Sequence, residues 1–382
     1  MIEFNQPFVA KNEKEYVIDA ITKGDIAGDR GYTKKCQTYF ENRWMFAKTL
    51  MTTSCTDALE MAALLLDIKP GDEVIAPSYT FVSTVNAFAL RGAKIIFVDS
   101  EAGHPNIDVA KIEEKITKRT RIILPVHYAG NACKMDTLME YARHFDIHVV
   151  EDAAQAVNSF FIDDSGALLP LGSLGTFGTF SFHESKNITC GEGGLLAINN
   201  TTYLARAEFM WEKGTNRNEY LRGEVDKYEW VDLGSSFLPS DLLSAFLYGQ
   251  LECLDEIQDK RKAIWETYYT GLKQLETDGH FRLPEVPAYS TNNAHIFYLV
   301  CNSMEETTGL YEFLKTKGIE TSFHYQSLHR SKYYVSHNKE RADLPNCDRF
   351  ANQLLRLPLH CSLTQDDIYK VVDEINNYFR RI

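Results

Sequence analysis

Residues 175–187 read Gly175-Thr176-Phe177-Gly178-Thr179-Phe180-Ser181-Phe182-His183-Glu184-Ser185-Lys186-Asn187. The first half is small and apolar, as a buried strand requires, and the second half turns polar and carries a lysine just past the strand exit. An earlier stretch has the same form: His148-Val149-Val150-Glu151-Asp152-Ala153-Ala154-Gln155 is an apolar run ending in acid. Buried strands that each deliver a charged group at their exit point to an open parallel sheet, where ligands gather beyond the carboxyl ends of the strands.

Outward from these two runs the alternation continues. Strands are predicted at 47–52, 73–76, 94–98, 121–126, 148–151, 176–181 and 195–198, with helices at 57–66, 82–91, 109–116 and 135–144 between them. Val- and Ile-rich strands separated by helical patterns predict an α/β unit with a mostly parallel sheet covered on both faces. Lys69-Pro70-Gly71-Asp72 and Arg91-Gly92 punctuate the boundaries. The pattern changes near Ser240. A long helix is predicted over 241–266 as a bridge, followed by a strand at 295–301, a helix at 304–317, a strand at 319–323 and helices at 348–354 and 365–380. The expectation is a large unit over 1–245 and a smaller α+β unit over 246–382.

Forty basic and 53 acidic residues give a formal charge of −13, with no Lys/Arg block. Nucleic acid and anionic membranes are poor partners for such a chain. The eight cysteines are scattered without metal-like spacing, which fits buried thiols in a reducing compartment and no metal site. Met1-Ile2-Glu3-Phe4-Asn5-Gln6 has no basic and apolar leader pattern, and no apolar run reaches membrane-spanning length. A cytoplasmic protein is expected.

Lys186 and Asp152 at neighbouring strand exits suit pyridoxal-phosphate chemistry. A lysine amine condenses with the aldehyde, and an aspartate keeps the pyridine nitrogen protonated so that the ring accepts electrons. The run Cys190-Gly191-Glu192-Gly193-Gly194 allows the backbone to approach a ligand closely. Gln155 can donate to the ring oxygen. Ser54-Cys55-Thr56-Asp57 opens a helix straight after a strand, where free N–H groups and hydroxyls make a phosphate cradle, and Ser181 adds a hydroxyl. Phe81, in Pro77-Ser78-Tyr79-Thr80-Phe81, can stack on a ring face. Each has a plainer reading: surface lysine, helix cap, core aromatic. His127, His183, His324 and His329 fit a polar core or rim as well as acid–base work.

Together these residues resemble the DegT/DnrJ/EryC1/StrS sugar aminotransferases, within the fold-type I (aspartate aminotransferase-like) pyridoxal-phosphate enzymes. The resemblance runs from Phe4-Asn5 to Leu357-Pro358-Leu359-His360. The runs at 62–68, 77–84, 125–130, 182–187 and 213–217 are most similar to the subgroup of dTDP-4-amino-4,6-dideoxygalactose transaminases, with Ser185 where Thr is usual before the lysine. The resemblance implies Lys186 as the catalytic lysine, Asp152 as the pyridinium partner, Gln155 and Phe81 on the ring, and Cys55, Thr56 and Ser181 on the phosphate. It implies the pyridoxal and pyridoxamine 5′-phosphate forms of the cofactor, L-glutamate as donor, and a dTDP- or UDP-linked 4-keto-6-deoxyhexose as acceptor. Deoxyaminosugar supply for lipopolysaccharide O-antigen is the implied setting. It further implies a homodimer with shared sites. Relatives reach the partner's phosphate with an Asn in a Gly-Tyr-Asn-Tyr-Arg-like segment; here Gly234-Ser235-Ser236-Phe237-Leu238 puts Ser236 at the Asn position and leaves the Arg without a counterpart. Arg217, Tyr325 and His329 are the implied substrate contacts. A 3-keto-sugar aminotransferase and a catalytically silent cofactor-binding regulator are the alternatives, while a dehydratase of the group would carry His in place of Lys186.

Overall fold

The computed structural model describes residues 1–338 and 342–380, so the last two positions of the 246–382 unit lie outside it. The larger sheet has strands β1 (Lys48–Thr52), β2 (Glu73–Pro77), β3 (Lys94–Val98), β4 (Thr120–Ile123) and β5 (His148–Asp152). After a small hairpin of β6 (Phe160–Ile162) and β7 (Leu168–Pro170), it is completed by β8 (Phe177–Ser181) and β9 (Gly194–Ile198). Its order is β1-β9-β8-β5-β4-β2-β3. The pairings from β8 to β3 are parallel, and β9 runs antiparallel to both neighbours, so the sheet is mostly parallel as expected.

Period-two alternation divides the strand residues between two cores. Leu50, Val74, Ile122, Val150 and Leu196 join the cluster built with the helices Cys55–Leu65 and Val82–Ala89. Met51, Ile75, Ile123, Val149 and Leu195 join the opposite one, with Phe40 and Trp44 of the helix Gly31–Trp44 and Leu247 and Leu251 of the helix Asp241–Glu252. Both faces are therefore dry, and the sheet can present function only at its edges and strand ends.

Two helix predictions change. Residues 109–116 form two short 3-10 turns, Val109–Lys111 and Glu113–Lys115, because eight residues with β-branched ends cannot sustain a helix that packs so little of its surface. The bridge over 241–266 breaks at Cys253 into Asp241–Glu252 and a longer helix, Leu254–Thr277, that carries the chain away from the large sheet. Beyond it lie β10 (Phe281–Arg282), β11 (Phe297–Cys301), β12 (Ser322–Phe323) and β13 (Leu354–Leu357) in the order β10-β11-β13-β12. β13 takes over where a helix was expected to end: that helix spans Pro345–Gln353, and Leu354-Leu355-Arg356-Leu357 alternates as a strand. The N-terminus packs with this smaller sheet, since Ile2 bridges Ile319 and joins its apolar cluster. Among the described residues no helix is long and apolar enough to cross a membrane, and no cluster of His, Cys, Asp and Glu could hold a metal ion.

Candidate functional site

The strand register brings the predicted residues together. Thr52 at the end of β1 and Ser181 at the end of β8 both face Gly194, the first residue of β9. A Cβ on Gly194 would lie 2.3 Å from the Ser54 carbonyl carbon and 2.4 Å from the Cys55 nitrogen. Only glycine lets the Ser54–Cys55 turn sit on this strand end. Ser54 caps the Asp57 N–H at 3.1 Å, while Cys55 and Thr56 open the helix with N–H groups that no preceding turn can satisfy. Thr56 donates its hydroxyl to Ser83 at 2.8 Å. Strand end, glycine and helix start make an anion cradle.

Asp152 lies in register with Thr179. It is therefore two residues short of Ser181 along the neighbouring strand, roughly 6.6 Å away. Its Oδ2 accepts from the Thr84 hydroxyl at 2.7 Å and its Oδ1 from the Ala154 N–H at 3.1 Å. Burial pushes this carboxyl up, opposed by those two hydrogen bonds and by the charges of Lys186 and His127. A cationic N–H laid against it would favour the ionised form.

Lys186 follows a tight turn in which its N–H donates to the His183 carbonyl at 2.9 Å. The next residue locks the turn, as Asn187 donates to the Asn293 carbonyl at 2.9 Å and its Oδ1 meets His295 Nδ1 at 2.8 Å. Burial lowers the lysine's pKa, partly offset by Cys55 and Asp152 and reinforced by Arg356. That favours the neutral, nucleophilic amine.

Lys186 and Asp152 line a cavity of about 630 Å³, and so do Cys55, Thr56, Phe81, Gln155, Ser181 and Tyr325. Phe81 stands at its rim, 55% exposed. Gln155 Oε1 accepts from the Ala129 N–H at 2.7 Å and its Nε2 donates to the Tyr325 hydroxyl at 3.0 Å, which ties this wall to the smaller sheet's loop.

The chain does not bring the remaining predicted residues to the cavity. Ser236 is exposed and bridges Glu212. Arg217 pairs with Glu212 at 3.1 Å. His329 is buried outside the cavity wall, its Nδ1 2.7 Å from the Ser78 hydroxyl, and burial lowers its pKa. Among the other histidines, His127 supports the site from behind. Its Nε2 lies 3.0 Å from Glu151, which also accepts from the N–H groups of Gly172, Leu174 and Gly175. His183 and His324 do line the cavity.

Sequence reasoning missed Ser83, Thr84, His295 and Arg356, which also line it. Thr84 closes the 77–84 run from which only Phe81 was singled out, so its hydroxyl one turn past Thr80 was a usable signal. His295 and Arg356 belong to the smaller sheet, and no local pattern aims them at a strand end of the larger one.

The donor set fits pyridoxal 5′-phosphate. The cradle of Cys55, Thr56, Ser181 and Gly194 would hold its phosphate, Asp152 its pyridine nitrogen, Phe81 a ring face, and Lys186 its aldehyde carbon.

A family model for the DegT/DnrJ/EryC1/StrS aminotransferases matches residues 8–376. An uncharacterized protein of Methanocaldococcus jannaschii, MJ1066, is 30% identical over 377 residues, covering 97% of this chain and 95% of that protein. The aminotransferase TlmJ from Streptoalloteichus hindustanus superimposes with a TM-score of 0.90 at 27% identity, covering 100% of this chain and 99% of that one. Spr1654 from Streptococcus pneumoniae, solved in its PMP form, matches in fold with a TM-score of 0.91 at 23% identity over the whole of both chains.

Proposed function

The chain belongs to the DegT/DnrJ/EryC1/StrS aminotransferase family, and on that premise we propose that it moves an amino group from L-glutamate to C4 of a dTDP-linked 4-keto-6-deoxyhexose in the cytoplasm. The observation that carries the reading is a lysine with a lowered pKa sharing one cavity with Asp152 and a glycine-dependent anion cradle. When bound, pyridoxal 5′-phosphate supplies the electron sink. Lys186 Nζ takes the proton from the donor's α-carbon and, in the return half, delivers one to the sugar carbon. Thr84 and the Ala154 N–H fix the orientation of Asp152, which would meet the ring nitrogen. The choice of a 4-keto acceptor is supported by the sequence runs at 62–68, 77–84, 125–130, 182–187 and 213–217, which resemble the 4-amino-4,6-dideoxygalactose subgroup.

A homodimer is part of the proposal. Tyr228 (52% exposed), Trp230 (76%) and Leu233 (55%) lead into the exposed Ser236, and such an apolar, aromatic stretch suits an interface. Across a two-fold axis, Ser236 would reach the partner's cradle; sedimentation as a fully active monomer would contradict this.

Incubation with ¹⁵N-glutamate and a panel of dTDP- and UDP-linked 4-keto and 3-keto sugars, with products assigned by NMR, tests the reading. Amination at C4 of the dTDP-linked 4-keto sugar is expected. Amination only at C3 would replace the acceptor, and no transfer to any sugar would favour a silent cofactor-binding protein.

A further inference from the structure

His329 is a buried histidine that ties the smaller sheet's loop to the larger sheet, away from the cavity wall. The loop leaves β12, whose Phe323 pairs with Leu355 of β13, and runs through Tyr325 to the short turn Leu328–Arg330. That turn is fastened to Ser78, the buried residue just after β2. The Ser78 carbonyl accepts from the Leu328 N–H at 2.9 Å, and its hydroxyl oxygen accepts from the His329 N–H at 3.0 Å. The same oxygen lies 2.7 Å from His329 Nδ1. With its lone pair engaged by the backbone N–H, the hydroxyl turns its own proton to Nδ1, which assigns a neutral imidazole with its hydrogen on Nε2. Burial lowers the pKa of the ring and keeps it in that form; Asp348, 3.4 Å from Nε2, and Asp99 oppose the shift, and Arg330 adds to it.

Tyr325 lies between the two anchors of this loop. Its ring centroid is 6.0 Å from that of Phe81 and 5.9 Å from that of Tyr79, both in the turn that Ser78 begins. Its hydroxyl accepts from Gln155 Nε2 at 3.0 Å, while Gln155 Oε1 is taken by the Ala129 N–H at 2.7 Å. One Nε2 hydrogen remains for the cavity that Gln155 lines. We propose that His329 is a positioning residue of the cofactor site: through Ser78 it holds Tyr325, and Tyr325 aims the remaining Gln155 N–H at the ring oxygen. The inference rests on the aminotransferase reading and adds to it a residue that touches neither cofactor nor substrate. A side-chain amide turns easily about its last torsion, so a donor meant for one oxygen needs its other groups tied. Ala129 ties one and Tyr325 the other. The Ser78–His329 contact keeps the loop that carries Tyr325 level with the sheet that carries Gln155. A donor at the ring oxygen stabilises its anion, most when no neighbouring proton shares it, so losing the donor raises the pH at which the bound cofactor's absorbance titrates.

The readouts are the pH titration of the holoenzyme's cofactor absorbance, the cofactor dissociation constant and the thermal melt. Ser78→Ala and His329→Leu should each raise the absorbance midpoint by about half a pH unit or more. Each should also weaken cofactor binding roughly tenfold, as loss of a buried hydrogen bond implies. His329→Asn places an acceptor oxygen where Nδ1 stands, and its cofactor affinity should stay within about twofold of the parent's. Tyr325→Phe should reproduce the midpoint shift, and adding His329→Leu to it should move the midpoint no further, because residues that act through one another are not additive. Ser78→Ala combined with Tyr325→Phe gives the same comparison with His329 in place, so a His329→Leu chain that fails to fold leaves the test intact. Full additivity in the combined variants would overturn the inference. So would an unmoved midpoint in Ser78→Ala, or a His329→Asn protein that folds and binds no better than His329→Leu. A wild-type protein that takes up no pyridoxal 5′-phosphate would instead overturn the aminotransferase reading itself.

Discussion

Asp152 is the side chain on which the proposed chemistry turns. Burial raises its pKa, and the Thr84 hydroxyl and Ala154 N–H hold it in one orientation. Asp152→Asn keeps the size and can keep one of these hydrogen bonds, so the fold should survive. A shift of one pKa unit at the ring nitrogen is ~1.4 kcal/mol, or tenfold, and removing the counter-charge should cost more than that in the rate of amino transfer. Near-normal turnover in an Asn variant with an unchanged melting temperature would remove Asp152 from the role. Lys186 and Asp152 stood out in the sequence because Asp152 ends an apolar strand and Lys186 follows another by one turn, so the local pattern itself says which end of the sheet each occupies. Arg356 did not, because Leu354-Leu355-Arg356-Leu357 says nothing of which cavity its one polar member enters.

At the scale of elements, the anion cradle depends on three strand ends finishing level. Gly194 is the tight point, with Ser54 and Cys55 backbone atoms where a side chain would go. Gly194→Ala must push that turn away. The expected cost is about 1–3 kcal/mol of stability, typical of overpacking, together with at least a tenfold loss of cofactor affinity, as ~1.4 kcal/mol of lost binding implies. Gly31, at the start of its helix, has open space around the corresponding position, and Gly31→Ala should leave both unchanged; cofactor titration and thermal melts of the pair check the contrast. The sequence made the glycine run legible as a place of close approach, but not the antiparallel direction of β9 that sets Gly194 against β1. Strand direction depends on how the connection from 182 to 193 folds back, and alternation of apolar residues is the same in either sense. The misjudged helix over 109–116 has a similar cause: periodicity does not tell a short helix from two tight turns when little of it is packed.

For the whole molecule, the cavity exists because two sheets share it. Residues from the ends of β1, β5 and β8 meet Arg356 of β13, His295 just before β11 and Tyr325 just after β12. The alternation of strands and helices made the larger sheet and its functional edge legible, and the change of pattern near Ser240 announced the second. What no local signal encoded is the return of the chain after the break at Cys253, which carries the smaller sheet back over the strand ends. The central claim is that this shared cavity holds pyridoxal 5′-phosphate on Lys186. Borohydride reduction of the protein loaded with the cofactor, followed by peptide mapping, tests it most directly. The account predicts a stable pyridoxyl label on Lys186 and none in Lys186→Ala; a label on a different lysine, or no label at saturating cofactor, would contradict it.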